Sequence, residues 1–207
     1  MRRLLLTSGR GPAECRIAVA HALARLADEA AAADCDCAIA PSDADRHGPA
    51  SAIAVLDGTG ADAIAQRWTR GSLLWVCRSP LRPHHGRKNW FVGIVDLPLP
   101  AQLPMLSTSD VRFESFRAGG PGGQHQNKTE SAVRAVHLPS GLTAIARDGR
   151  SQHGNKALAI ARLAALLDGR ARVAEAGEVR LVQAAHGRVE RGAAGLRFKG
   201  LTFRPAG

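Results

Sequence analysis

Residues 111–146 read VRFESFRAGGPGGQHQNKTESAVRAVHLPSGLTAIA. Val111, Phe113 and Ser115 alternate with charged residues at the period of a half-buried strand. Two more short strands are expected at 132–138 and 142–146, joined by Pro139-Ser140-Gly141, a hairpin signal. Between the first two strands lie Gly119, Gly120, Pro121, Gly122 and Gly123, closed by Gln124 and a polar, basic run. No packed core needs so many glycines together. They concentrate where the backbone must reach positive φ, or where a ligand must meet the main chain without a Cβ in the way. The segment's chemistry is therefore main-chain N–H groups and one amide side chain, carried on a rigid base.

Working outward, a short helical turn is expected near 127–131. A helix is expected over about 154–167, with Ser151 as its N-cap and Asp168-Gly169 as its stop. The tail over 178–205 alternates at Val179, Leu181, Leu196, Phe198, Leu201 and Phe203 and reads as strands returning to a sheet. On the N-terminal side, LPLPAQLP at 97–104 holds three prolines in eight positions, which no helix or central strand accommodates. It marks a domain boundary. Before it the expected order is a strand at 3–7, a helix at 12–33, strands at 35–40 and 51–56, a helix at 61–69, and strands at 72–78 and 89–97. That order suggests a split βαβ sandwich with helices on one sheet face. The fold class is α+β, and the expected domains are 1–104, 105–170, and 171–207 as strands packing on the first domain.

The chain of 207 residues is 45% hydrophobic and 22% charged, as a globular protein with a real core should be. No run approaches the ~18 apolar residues of a membrane span, and MRRLLLTSGR is too short in apolar residues for a secretory signal. A cytoplasmic location and no membrane partner are expected. Cys15, Cys35, Cys37 and Cys77 lack metal-ligand spacing and read as free thiols, so no metal and no cofactor are expected. Of the formal charge of +10, residues 1–57 carry −2, with six Lys/Arg against eight Asp/Glu, and the remaining 150 carry +12. Such a distribution favours a polyanion, because each cation that neutralises a phosphate releases counterions. Aromatics are 4% and Tyr is absent, so stacking on single-stranded bases is disfavoured and folded RNA is the expected partner.

Residues 78–90, RSPLRPHHGRKNW, form an expected hairpin tip. It gathers Arg78, Arg82, His84, His85, Arg87 and Lys88, with Trp90 closing it. By itself this could be a solvated basic loop.

The stretch FRAGGPGGQHQNKTESAVRAVHLPSG, followed by RSQHGNKALAIARL at 150–163, resembles the GGQ domain of class I peptide chain release factors. The resemblance implies hydrolysis of the peptidyl-tRNA ester, an activity exercised only in the context of the ribosome. It gives the catalytic role to Gly122, Gly123 and Gln124, the main-chain N–H of Gln124 facing charge on the leaving ribose oxygen. Pro121, Gly119, Gly120, His125, Asn127 and Lys128 would support the loop or touch RNA. So would the second motif, through Arg150, Gln152, His153, Asn155 and Lys156. Gln124 is implied as a site of N5-methylation, with a glutamine methyltransferase as partner. The loop 78–90 occupies the place of the stop-codon reader, which implies decoding-centre recognition through RNA contact by Arg78, Arg82, His84, His85, Arg87, Lys88 and Trp90, but no intact PxT or SPF tripeptide is present; Ser79-Pro80-Leu81 is a partial likeness. RPHHGRKNWFVG is similar instead to the short bacterial release factor H subfamily, and the chain opens directly on the first expected strand. That likeness implies rescue of stalled or decoding-centre-damaged ribosomes, through ribosomal RNA and peptidyl-tRNA, with an RNA-repair ligase in the same pathway. A codon-independent rescue hydrolase is the alternative, although its basic disordered tail contrasts with the alternating GLRFKGLTFRP.

A different class is a nucleotide-binding protein. GGQHQNKT at 122–129 misses the GxxxxGK[ST] phosphate loop by one residue, Asn127 standing for the last glycine. A phosphate loop must open a helix, whereas a hairpin is expected here.

Overall fold

The structure is a computed structural model that describes residues 1–100, 104–117, 130–192 and 194–206. The chain divides into two compact units, residues 1–99 with 178–207, and residues 100–177.

The first unit is built on a seven-stranded sheet in the order β10-β9-β4-β5-β1-β3-β2. Its strands are β1 (Arg2–Thr7), β2 (Cys35–Asp45), β3 (Gly48–Gly58), β4 (Ser72–Val76), β5 (Asn89–Leu97), β9 (Ala194–Lys199) and β10 (Arg204–Pro205). Neighbours are antiparallel except β9, which lies parallel to β4 with Trp75 opposite Phe198. Helices α1 (Ala13–Ala32) and α2 (Ala61–Trp68) bury Val19, Leu23, Leu26, Ile64 and Trp68 in one core with Leu4, Leu6, Leu56, Trp75 and Trp90. Leu5 points the other way, into a second cluster with Leu97, Val182 and Ala185. β1 is thus covered on both sides, which is why RRLLLT carries three consecutive leucines rather than an alternation.

That second cover is the largest departure from expectation. The helix expected over 154–167 is α3, Gln152–Gly187, and Val179 and Leu181 are helical rather than strand residues. Residues 171–187 are therefore not part of a C-terminal strand region, and helices are not confined to one sheet face. Two side-chain pairs hold the end of α3 along β1. Arg3 Nη2 meets Glu178 Oε1 at 2.5 Å, and Thr7 Oγ1 lies 2.6 Å from His186 Nδ1. Eight helical residues span about 12 Å and four strand residues about 13 Å, so the two rows stay in step. The tail does rejoin the sheet, but only through β9 and β10; residues 201–203 form a turn in which Phe203 stacks on Phe198 at 4.2 Å and on His21 at 5.2 Å.

The second unit is smaller. β6 (Val111–Phe116), β7 (Ala132–His137) and β8 (Thr143–Ala146) form an antiparallel sheet in that order. The first part of α3 covers it, and its core is Val111, Val133, Ala135, Ala144, Ala146, Ala159 and Leu163. Small residues let helix and sheet approach closely. The hairpin at Pro139-Ser140-Gly141 forms as expected: Gly141 takes φ +69°, and its N–H donates to the His137 carbonyl at 2.8 Å. The 3-10 turn Thr108–Asp110 leads into β6.

Candidate functional site

Nine of the residues singled out in sequence, Gly119, Gly120, Pro121, Gly122, Gly123, Gln124, His125, Asn127 and Lys128, lie outside the described residues. Their mounting is described. β6 and β7 pair in register from Val111 with His137 to Phe116 with Ala132, so both ends of the glycine-rich segment leave the same edge of one sheet. At that edge Arg117 Nε lies 3.4 Å from Glu130 Oε1, both exposed. Arg134 crosses Phe116 at 5.6 Å and reaches Glu114 at 3.4 Å.

The second motif grips the same place from α3. Asn155 has no exposed surface. Its Nδ2 donates to the Ser131 carbonyl at 2.7 Å and the Gly149 carbonyl at 2.9 Å, while its Oδ1 accepts the Gly149 N–H at 2.8 Å. An amide is the side chain that donates twice and accepts once from a single buried point. Gln152 Nε2 donates to Ser115 Oγ at 2.5 Å, and Lys156 Nζ sits 4.3 Å from the centre of the Phe113 ring. Ser151 Oγ accepts from the Gly154 N–H at 3.4 Å as the N-cap. Arg150 and His153 are exposed on the same turn and make no ion pair among the described residues. Of this motif, Asn155, Gln152 and Lys156 are braces, whereas Arg150 and His153 face solvent. Among the described residues, 130 and 131 are not helical and lead into strand β7, so no helix follows the phosphate-loop-like stretch there; that stretch itself, and the start of the helical turn expected near 127–131, lie outside the described residues.

The basic loop joins β4 to β5, and the Cys77 N–H donates to the Lys88 carbonyl at its neck. Arg78, Arg82, His84, His85 and Lys88 are exposed and Arg87 is half-buried. Trp90 departs from expectation: it is fully buried, its Nε1 donates to the Cys77 carbonyl at 3.0 Å, and it offers no face to RNA. The Arg87 guanidinium lies 5.0 Å from its ring and His85 is 6.1 Å away. It anchors the loop instead, because an indole supplies a large apolar surface and one donor.

Arg82 is not a free cation either. Its Nε and Nη2 meet Glu14 Oε1 at 2.8 and 2.7 Å, and Ser79 Oγ donates to the same oxygen at 2.5 Å. Ser79 Oγ in turn accepts the Arg82 and Leu81 N–H groups at 2.9 and 3.2 Å. Burial opposes ionisation of Glu14, but the Ser79 hydroxyl, its own main-chain N–H and Arg82 outweigh it and hold its pKa below the usual carboxylate value. Sequence reading passed over Glu14; its only local signal was an acidic residue in the first turn of a helix. Arg78 and Lys88 make no ion pair among the described residues and remain the unengaged cations of the loop.

The four cysteines are free. Burial pushes the thiols of Cys15, Cys37 and Cys77 up, which keeps them protonated and poorly nucleophilic.

An RF-1 domain model matches residues 103–197, the span that contains the glycine-rich segment and its braces. Over 202 residues the chain is 41% identical to a peptide chain release factor homolog of Escherichia coli, covering 97% of each. The chain belongs to the peptide chain release factor family. It is also 54% identical over 76 residues to peptide chain release factor 1 of Verminephrobacter eiseniae, 37% of this chain and 21% of that one. RF2 of Thermus thermophilus aligns with 96% of this chain and 57% of its own, at 29% identity and a TM-score of 0.41. Among the described residues, no helix is long and apolar enough to cross a membrane.

Proposed function

We propose that the protein hydrolyses the ester between a nascent peptide and its tRNA while bound to the ribosome. Water adds to the ester carbonyl, the peptide leaves as a carboxylic acid, and the ribose oxygen takes a proton. In this reading the main-chain N–H of Gln124 stabilises the leaving oxygen. Gly122 and Gly123 keep the approach free of Cβ atoms, and the Gln124 amide favours water over bulkier nucleophiles. A glutamine methyltransferase acting on Gln124 fits the same role.

The observation that carries the reading is the mounting of the glycine-rich segment. Both its ends rise from paired residues, Phe116 and Ala132, and Ser131 at its foot is held by buried Asn155. A loop that must reach into RNA with a preorganised donor needs such a rigid base.

The loop 78–90 supplies recognition. Its exposed Arg78 and Lys88 suit phosphate and folded ribosomal RNA, and the absence of an intact stop-codon tripeptide favours rescue of stalled or decoding-centre-damaged ribosomes, with an RNA-repair ligase acting in the same pathway. The test is release of labelled peptide from peptidyl-tRNA on intact stalled ribosomes and on ribosomes cleaved in the decoding centre. Faster release on the cleaved ribosomes is expected. Equal release on both makes the protein a codon-independent rescue hydrolase, and no release on either refutes the proposal.

A further inference from the structure

Resting on that reading of the basic loop, we infer that Glu14 is the positioning residue of the loop, fixing 79–82 so that Arg78, His84, His85 and Lys88 are presented in one arrangement. Glu14 is 1% exposed at the start of α1, yet its Oε1 serves two residues that lie 65 and 68 positions away in the chain. Three donors meet that oxygen: Ser79 Oγ, Arg82 Nε and Arg82 Nη2. The order of the loop then passes through Ser79, whose hydroxyl oxygen accepts two successive main-chain N–H groups. Further along, the Arg82 carbonyl accepts the His85 N–H at 3.0 Å, and His85 Nδ1 accepts the Arg87 N–H at 3.0 Å. The buried carboxylate is thus the first member of a chain of hydrogen bonds that runs through the exposed part of the loop. Such a chain is worth more as a unit than its pairs suggest, and removing its charged member takes the ionic partner from the exposed Arg82 guanidinium and weakens the acceptor of the Ser79 hydroxyl.

The role differs from that of an ordinary core residue. A core residue stabilises the unit as a whole, whereas the side-chain partners of the Glu14 carboxylate among the described residues, Ser79 and Arg82, both belong to the loop it holds. Glu14→Gln keeps the volume and removes the charge.

Two measurements on the full chain decide the matter. The first is amide exchange in the free protein. Glu14→Gln should expose the Leu81 and Arg82 amides, with exchange about tenfold faster or more, while the amides of β1 and β5 stay protected. The second is peptide release against protein concentration on the preferred ribosome. The half-saturating concentration should rise about tenfold, the scale of one lost charged hydrogen bond, with the rate at saturation unchanged. Arg82→Gln should do the same, and the double variant should be no worse than either single one, because both remove one interaction. Unchanged exchange at Leu81 and Arg82 overturns the inference, as does faster exchange with an unchanged half-saturating concentration. The variant Arg78→Ala with Lys88→Ala, which leaves Glu14 in place, separates the two levels. If it leaves half-saturation untouched, the recognition role of the loop has failed; if it raises it while Glu14→Gln does not, the positioning role has failed.

Discussion

Asn155→Ala should destabilise the second unit by about 3 kcal/mol. The side chain makes three hydrogen bonds of 2.7, 2.8 and 2.9 Å with no exposed surface, and a buried neutral hydrogen bond contributes roughly 1 kcal/mol net. Alanine would leave the Ser131 carbonyl and both polar groups of Gly149 without these bonds. Asn155→Asp sharpens the comparison. It preserves size and still accepts from the Gly149 N–H, but it turns an oxygen toward two carbonyl oxygens that Nδ2 now satisfies. If hydrogen bonding sets the cost, Asp is at least as damaging as Ala; if packing sets it, Asp is tolerated. Tryptophan fluorescence cannot follow this, since Trp68, Trp75 and Trp90 all belong to the first unit. Amide exchange at Val133 and Ala135 in β7 can, and should accelerate on the order of a hundredfold in the Ala variant. Gln152→Ala, which removes one exposed bond to Ser115, should change exchange by less than about 1 kcal/mol. Because Asn155 holds the foot of the glycine-rich segment, the release rate at saturation should fall more than the affinity. A loss below about 0.5 kcal/mol, or a tolerated Asp, would refute the hydrogen-bond reasoning. An unchanged saturated rate would refute the link between brace and loop.

Gly122→Ala or Gly123→Ala should abolish release and leave ribosome binding intact, with Gln124→Ala milder and less able to exclude other nucleophiles; full release by both glycine variants would overturn the assignment of the loop. Arg78→Ala with Lys88→Ala should lower affinity and flatten its dependence on salt by roughly two counterions, while the saturated rate holds. An affinity that barely responds to salt in the parent protein would defeat the charge argument. Acidification should weaken the first unit in two steps. Burial lowers the pKa of His21 below 6.5, so as pH falls past 6.5 the unfolded chain takes up a proton that the folded one refuses, and stability declines. Glu14, whose folded pKa lies below 4.5, contributes stability above 4.5 that is lost as pH falls through the folded value. Thermal unfolding followed by tryptophan fluorescence from pH 8 down to about pH 2 covers both steps, and His21→Gln should remove the first step only.

Much of this protein was legible in its residues. Strand alternation placed β6, and the hairpin signal placed β7 and β8. These are local effects: side-chain period, turn chemistry and the cost of a Cβ act within a few residues of one another. The misreadings come from distance. Asp168-Gly169 reads as a helix stop, yet α3 continues through it to Gly187. A helical glycine costs only about 1 kcal/mol, and the burial of Val182 and Ala185 under β1, with the Arg3–Glu178 and Thr7–His186 pairs, outweighs that. Trp90 beside four cations reads as a surface for RNA, but whether an indole faces water or the core is decided by what α1 and the sheet bring to it. Glu14 reads as a favourable charge at a helix start, and Arg82 as a free cation. Only the fold brings them within 2.7 Å across 68 residues of chain. The sequence alone determined where the strands β6, β7 and β8 and the Pro139-Ser140-Gly141 hairpin fall, because side-chain period and turn chemistry are local. Tertiary structure decided which cations are free to meet a partner and which are already committed, because that depends on burial and on partners that no local pattern encodes.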